Sequence, residues 1–150
     1  MSKNSKFIIK EQKCTLSKKE LQDFLDDYPI PSNYKILFPT KNQAIFDAPK
    51  GYVDLYTHAF RLSNLRIPLH PLILEFMQYD KVHISRFNPF GFAKLTTFIV
   101  MCKAYGYEPT LTVLRGFMNL CPGGDWLTLA KRGDPDVPTI LLKPFSNITD

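Results

Sequence analysis

The carboxylates come first, because three of them converging on two divalent metals could activate an attacking oxygen and stabilise a leaving one. Asp47, Asp54, Glu75, Asp80, Glu108 and Asp125 are the candidates, but they fall at expected helix starts, exposed flanks and turns. No alternation of strands and helices is expected that would gather three of them. Asp26-Asp27 closes a helix ahead of Tyr28-Pro29 and reads as solvated. An aspartic protease needs Asp-Thr-Gly or Asp-Ser-Gly to let two carboxylates share a proton, and neither tripeptide occurs. His58, His70 and His83 have no Cys or His at metal-ligand spacing, so no zinc site is expected. His70 before Pro71 and His83 in a short connection should bond backbone instead. Cys14, Cys102 and Cys121 lack a local partner that would lower a thiol pKa and suit reduced core residues. Pro122-Gly123-Gly124-Asp125 lacks the lysine of a phosphate-binding loop and reads as a turn. The expectation is therefore no enzyme, no catalytic residue, no metal and no cofactor.

Charge is unevenly placed. The net +5 sits between Met1 and Lys19, where Lys3, Lys6, Lys10, Lys13, Lys18 and Lys19 face only Glu11, and the rest of the chain balances. A Lys-rich arm is either a solvated terminus or a weak, sequence-independent magnet for phosphates through counterion release. These six lysines are the candidate nucleic-acid contacts. No run of about 18 apolar residues exists, so no membrane span is expected. Phe7, Ile8 and Ile9 are too few for a secretory h-region, which points to an intracellular protein, cytoplasmic or nuclear and not secreted. With 45% hydrophobic and 13% aromatic residues in 150, one core is affordable.

The elements that must position these groups are mostly helices punctuated by prolines. Ser17 with Glu20 is a capping box ahead of Leu21, Phe24 and Leu25. Tyr34 to Phe38 alternates weakly, as a brief extended stretch would. Asp47 and Pro49 suggest the start of a helix that buries Tyr52, Leu55, Tyr56, Ala59 and Phe60, with His58 and Arg61 beside that stripe. Past Pro68 and Pro71, Leu72, Ile73, Phe76, Met77 and Tyr79 mark another, with Glu75 and Gln78 facing water. Asn88 and Pro89 open a helix of about 17 residues that Gly106 ends, apolar nearly all round apart from Lys94, Thr96, Thr97 and Lys103, and so central. Thr110 caps a helix with Leu111, Leu114, Phe117 and Met118, expected to pack antiparallel on its predecessor and to stop at Cys121 to Gly124. Trp126 to Ala130 could form a strand pairing with Thr139 to Leu142, Trp126 lying over the helices.

Several ordered motifs, YPIP at Tyr28 to Pro31, FDAPKGYVDLYTHAF at Phe46 to Phe60, LRIPLHP at Leu65 to Pro71 and the block Asn88 to Leu120, carry a resemblance to the plant domain family described as gypsy-type transposon or transposase. It spans roughly Leu21 to Arg132. The resemblance implies retroelement origin and no established reaction. After Arg132 the chain reads GDPDVPTILLKPFSNITD in place of the family's aromatic-rich continuation.

The expected organisation is a basic flexible leader over 1–19, a helical domain over 20–132 and an irregular or truncated tail over 133–150. The fold class is mainly α, an orthogonal domain of about five helices with a small C-terminal β-hairpin. The expected role is a non-catalytic module of a retroelement protein, gag-like in that it would bind copies of itself or another retroelement chain, with nucleic acid held weakly by the leader and no membrane or small-molecule partner. The alternative is a sequence-specific DNA-binding domain of a transposase, reading through the Thr110 helix with Arg115 or Lys103 near the groove.

Overall fold

Side chains that accept the first unpaired amides set where the helices begin. The computed structural model describes residues 13–45 and 47–132. In chain order the elements are α1 (Lys18–Asp27), α2 (Thr57–Ser63), α3 (Pro71–Tyr79), α4 (Pro89–Ala104), α5 (Leu111–Phe117), β1 (Met118–Gly123) and β2 (Trp126–Lys131), with a 3-10 turn at Ile84–Arg86. The class is mainly α with one small antiparallel hairpin, as the residue pattern indicates.

The expected capping box of α1 is complete. Ser17 Oγ accepts from the Glu20 amide at 3.2 Å, and Glu20 Oε2 accepts from the Ser17 amide at 2.7 Å. Asn88 Oδ1 accepts from the Phe90 amide at 2.7 Å to open α4, and Thr110 Oγ1 accepts from Val113 at 3.3 Å to open α5. At the far end of α4 the Tyr107 amide reaches the Cys102 carbonyl at 2.8 Å and the Gly106 amide reaches Lys103 at 3.1 Å, the paired bonds of a Schellman stop. Gly106 supplies the required left-handed turn with φ of 76°.

Three expectations need correction. The helix expected from Asp47 starts only at Thr57, with Tyr56 as its N-cap. The Asp47 carboxylate instead closes a turn by accepting from the Ala44 amide at 2.7 Å, and Gly51 at φ 86° interrupts any helix there. Tyr34 to Phe38 is irregular and exposed, with no strand pairing it among the described residues. The Thr110 helix ends at Phe117 because Met118 turns extended and its strand partner takes over the backbone bonding. The described partner of Trp126–Lys131 is β1, and Thr139 to Leu142, the partner expected from the sequence, lies outside the described residues. The register pairs Leu120 with Leu129 and Gly123 with Trp126, across a two-residue loop that Gly124 at φ 67° makes possible.

α4 is central, as its all-round apolar character suggests, but its main neighbours are α2 and β2, whereas α5 lies against α3. The antiparallel pairing expected of α4 with α5 is reduced to such contacts as Phe98 with Phe117, ring centroids 6.5 Å apart. At the centre Phe87 is completely buried, 5.4 Å from the Phe76 ring and 4.9 Å edge-on from Phe92. α1 covers another side through Phe24, which meets Phe60 edge-on at 5.1 Å. Tyr28 and the Arg66 guanidinium continue that stack, 4.4 Å apart.

Lys94 overturns its expected place on a wetted face. Its ammonium is buried and donates to the Leu129 carbonyl at 2.8 Å, joining α4 to the hairpin. Thr96 is similarly turned inward, its hydroxyl reaching the Ser63 carbonyl of α2 at 2.8 Å.

Candidate functional site

The six leader lysines divide at the boundary of the described residues. Lys3, Lys6 and Lys10 lie outside them. Lys13 is exposed and pairs its backbone with Ala44 in an isolated antiparallel bridge, and Lys18 and Lys19 are exposed in the first turn of α1. Cationic side chains at a helix N-terminus gain nothing from the helix dipole, so these two project freely toward solvent and anions.

The acids do not form one cluster. Glu75, Glu108 and Asp125 are exposed. Asp26 accepts from the Gln22 side chain at 2.9 Å along α1. Asp80 holds Arg115, with one guanidinium nitrogen 2.7 and 2.8 Å from its two oxygens, while Arg115 lies 4.9 Å over the Tyr79 ring. Among the described residues no three His, Cys, Asp or Glu side chains stand close enough to share a metal ion. Two histidines take their expected backbone roles: His70 Nδ1 accepts from the Leu72 amide at 3.2 Å, and His83 Nδ1 accepts from the Ser85 amide at 3.4 Å while lying 2.6 Å from Ser85 Oγ. The three thiols are free, and burial pushes that of Cys102 up, away from reactivity.

Two polar side chains near the start of α2 stand apart from these. Asp54 Oδ2 and the Tyr56 hydroxyl are buried without a hydrogen-bond partner among the described residues. Burial pushes the Asp54 carboxyl up, opposed by the Ala48 amide and aided by nearby Asp47. Burial, with Asp54 adding to it, pushes the Tyr56 hydroxyl up to about 12. Trp126 packs on Tyr56, the N-cap of α2, with centroids 5.0 Å apart and is half-buried.

Both protons are held more tightly by the folded chain than by the unfolded one, so each group removes stability as pH rises. For Asp54 the fall begins just above the ordinary aspartate value of about 3.9, and for Tyr56 it runs from about 10 upward. Asp54→Asn should therefore flatten the acid-side slope and raise the melting temperature at neutral pH. A lower melting temperature in that variant, read by calorimetry from pH 3 to 7, would contradict a destabilising carboxylate.

α2, the connection to α3 and α4 enclose an open groove of about 820 Å³. Leu62, Phe90 and Val100 are 50%, 48% and 63% exposed along it. Arg61, Arg66 and His70 are the ionisable side chains in its lining, which holds no acid. Sequence reasoning missed this surface. The signal lies in the scant polar face of α4, which points to a central helix although part of its apolar face is uncovered.

Residues 55–122 match the family model described as "Putative gypsy type transposon". Over this segment the chain is similar to a gypsy-type transposon domain. The gypsy-type segment takes in α2 to α5 and most of β1, so the groove belongs to it entirely. Its limits are narrower than the span of the resemblance in the sequence, leaving α1 and β2 outside although Phe24 and Leu129 are core residues. No curated protein and no solved structure matches the chain. No helix among the described residues is long and apolar enough to cross a membrane.

Proposed function

We propose that this chain is a non-catalytic interaction module of a gypsy-type retroelement protein, associating with copies of itself or with another chain, and aided by weak, nonspecific nucleic-acid contacts from Lys3, Lys6, Lys10, Lys13, Lys18 and Lys19. The observation that carries this reading is the uncovered groove with Leu62, Phe90 and Val100 in the gypsy-type segment. Apolar side chains grouped on a surface and rimmed by polar ones favour a protein partner. The lysines would act through charge alone, so their contribution should fade with salt.

The alternative, a DNA reader on α5, draws less support. Arg115 is committed to Asp80 and stacked on Tyr79, and the exposed face of a seven-residue helix offers few base-reaching side chains. Size-exclusion chromatography with light scattering, with and without RNA, tests the proposal. A mass that rises with concentration, together with an RNA shift abolished by salt and by alanine at the six lysines, is expected. A strict monomer indifferent to RNA and to candidate partners would overturn it.

A further inference from the structure

The groove has a chemical character as well as a shape. Its floor is pinned by Thr96 of α4, whose hydroxyl donates to the Ser63 carbonyl of α2 and so fastens the two helices together beneath it. A floor tied in this way is preformed and costs little ordering on binding. The walls offer Leu62 from α2 and Phe90 and Val100 from α4, each about half exposed or more. A buried small-molecule cavity would enclose such side chains, whereas an open channel that leaves them wet suits a polypeptide segment laying apolar residues along it.

The rim selects the sign of that segment. Arg61 and Arg66 are exposed at one end, and none of the lining residues is acidic. Arg66 spends part of its guanidinium on the Tyr28 ring and on the Leu65 carbonyl at 3.2 Å. Arg61 stands close enough to Glu20 to add a little to the lowering of its carboxyl, which comes mainly from the Ser17 amide and hydroxyl. Neither arginine is in an ion pair with a groove residue, so both can meet carboxylates from outside. A second copy presenting the same basic groove face to face would set arginine against arginine, which disfavours it as the occupant.

We infer that this groove docks an apolar segment flanked by acidic residues from a different polypeptide, with Leu62, Phe90 and Val100 receiving its apolar side chains and Arg61 and Arg66 its carboxylates. The inference rests on the interaction-module reading and names the partner's chemistry. Specificity then comes from charge and affinity from apolar burial, the usual division at helix-in-groove contacts.

The probe is a fluorescein-labelled peptide of about 16 residues carrying leucines at helical i, i+3, i+4 and i+7 positions with glutamates at both flanks, beside a version with lysines for the glutamates. Anisotropy with the full chain should show binding of the acidic peptide at least about tenfold tighter than the lysine version. Val100→Asp, at an exposed site that folding does not need, should weaken the acidic peptide at least about tenfold with an unchanged melting curve. Arg61→Glu with Arg66→Glu should reverse the preference between the two peptides. Equal binding of both peptides, no binding of either, or wild-type binding by Val100→Asp would overturn the inference. So would a loss of self-association in Val100→Asp, which would make a second copy the occupant, or a loss of RNA binding confined to the arginine variant. Should the peptides fail while light scattering still reports association, only this inference falls and the broader reading stands.

Discussion

Phe87→Ala should lose about 3–5 kcal/mol of folding stability, the range for a fully buried phenylalanine. Total stabilities of small domains are about 5–15 kcal/mol, so this one change should leave the protein barely folded or unfolded at 37 °C. The reason is geometric as well as hydrophobic. Phe87 is wholly buried between Phe76 and Phe92, and it sits on the backbone of Gly91, where a Cβ would come within 2.7 Å of the Phe87 ring. Gly91→Ala is thus an overpacking change that should itself cost about 1–3 kcal/mol, despite alanine's better helix propensity. The two sites must be coupled. Phe87→Leu, costly alone, should recover part of the Gly91→Ala loss when the two are combined, and urea unfolding of the four proteins measures the interaction directly. Strict additivity would show that the glycine is not there to admit the ring.

Lys94→Glu should be nearly as damaging, by about 3–5 kcal/mol, because it buries a carboxylate facing the Leu129 carbonyl it can no longer serve. Lys94→Met keeps the packed stem and removes the cost of burying a charge, so it should lose no more than about 2 kcal/mol, the worth of a charged hydrogen bond less that desolvation. The gap between the two variants is the informative quantity. Glutamate tolerated as well as methionine in denaturant titrations would mean that the side chain reaches water and the hairpin is not tied to α4 through it.

Where sequence and structure agree, a local signal was sufficient. The capping box at Ser17 and Glu20, the Asn88 cap and the Gly106 stop are each complete within a few residues, so α1 and α4 could be read directly. The misreadings came where distant partners decide. Met118 carries a helical apolar spacing, but its backbone goes to a strand set by Trp126–Lys131. Lys94 looks like a solvent residue until the hairpin closes over it. Asp47 and Pro49 look like a helix start, but Gly51 and the Ala44 turn claim that segment. The groove was illegible for the same reason: an apolar stripe states how much surface wants covering, not whether anything in the chain covers it.

The gypsy-type match starts at residue 55 and stops at residue 122, yet two of the fastenings described above cross those limits. Phe24 and Tyr28 close on Phe60 from one side, and the Leu129 carbonyl receives Lys94 on the other. A piece excised at the match limits would leave an aromatic ring bare and an ammonium stranded in a greasy setting. The matched segment and the foldable unit are therefore different lengths of chain, and any excised piece that keeps this fold must carry both flanks along with it.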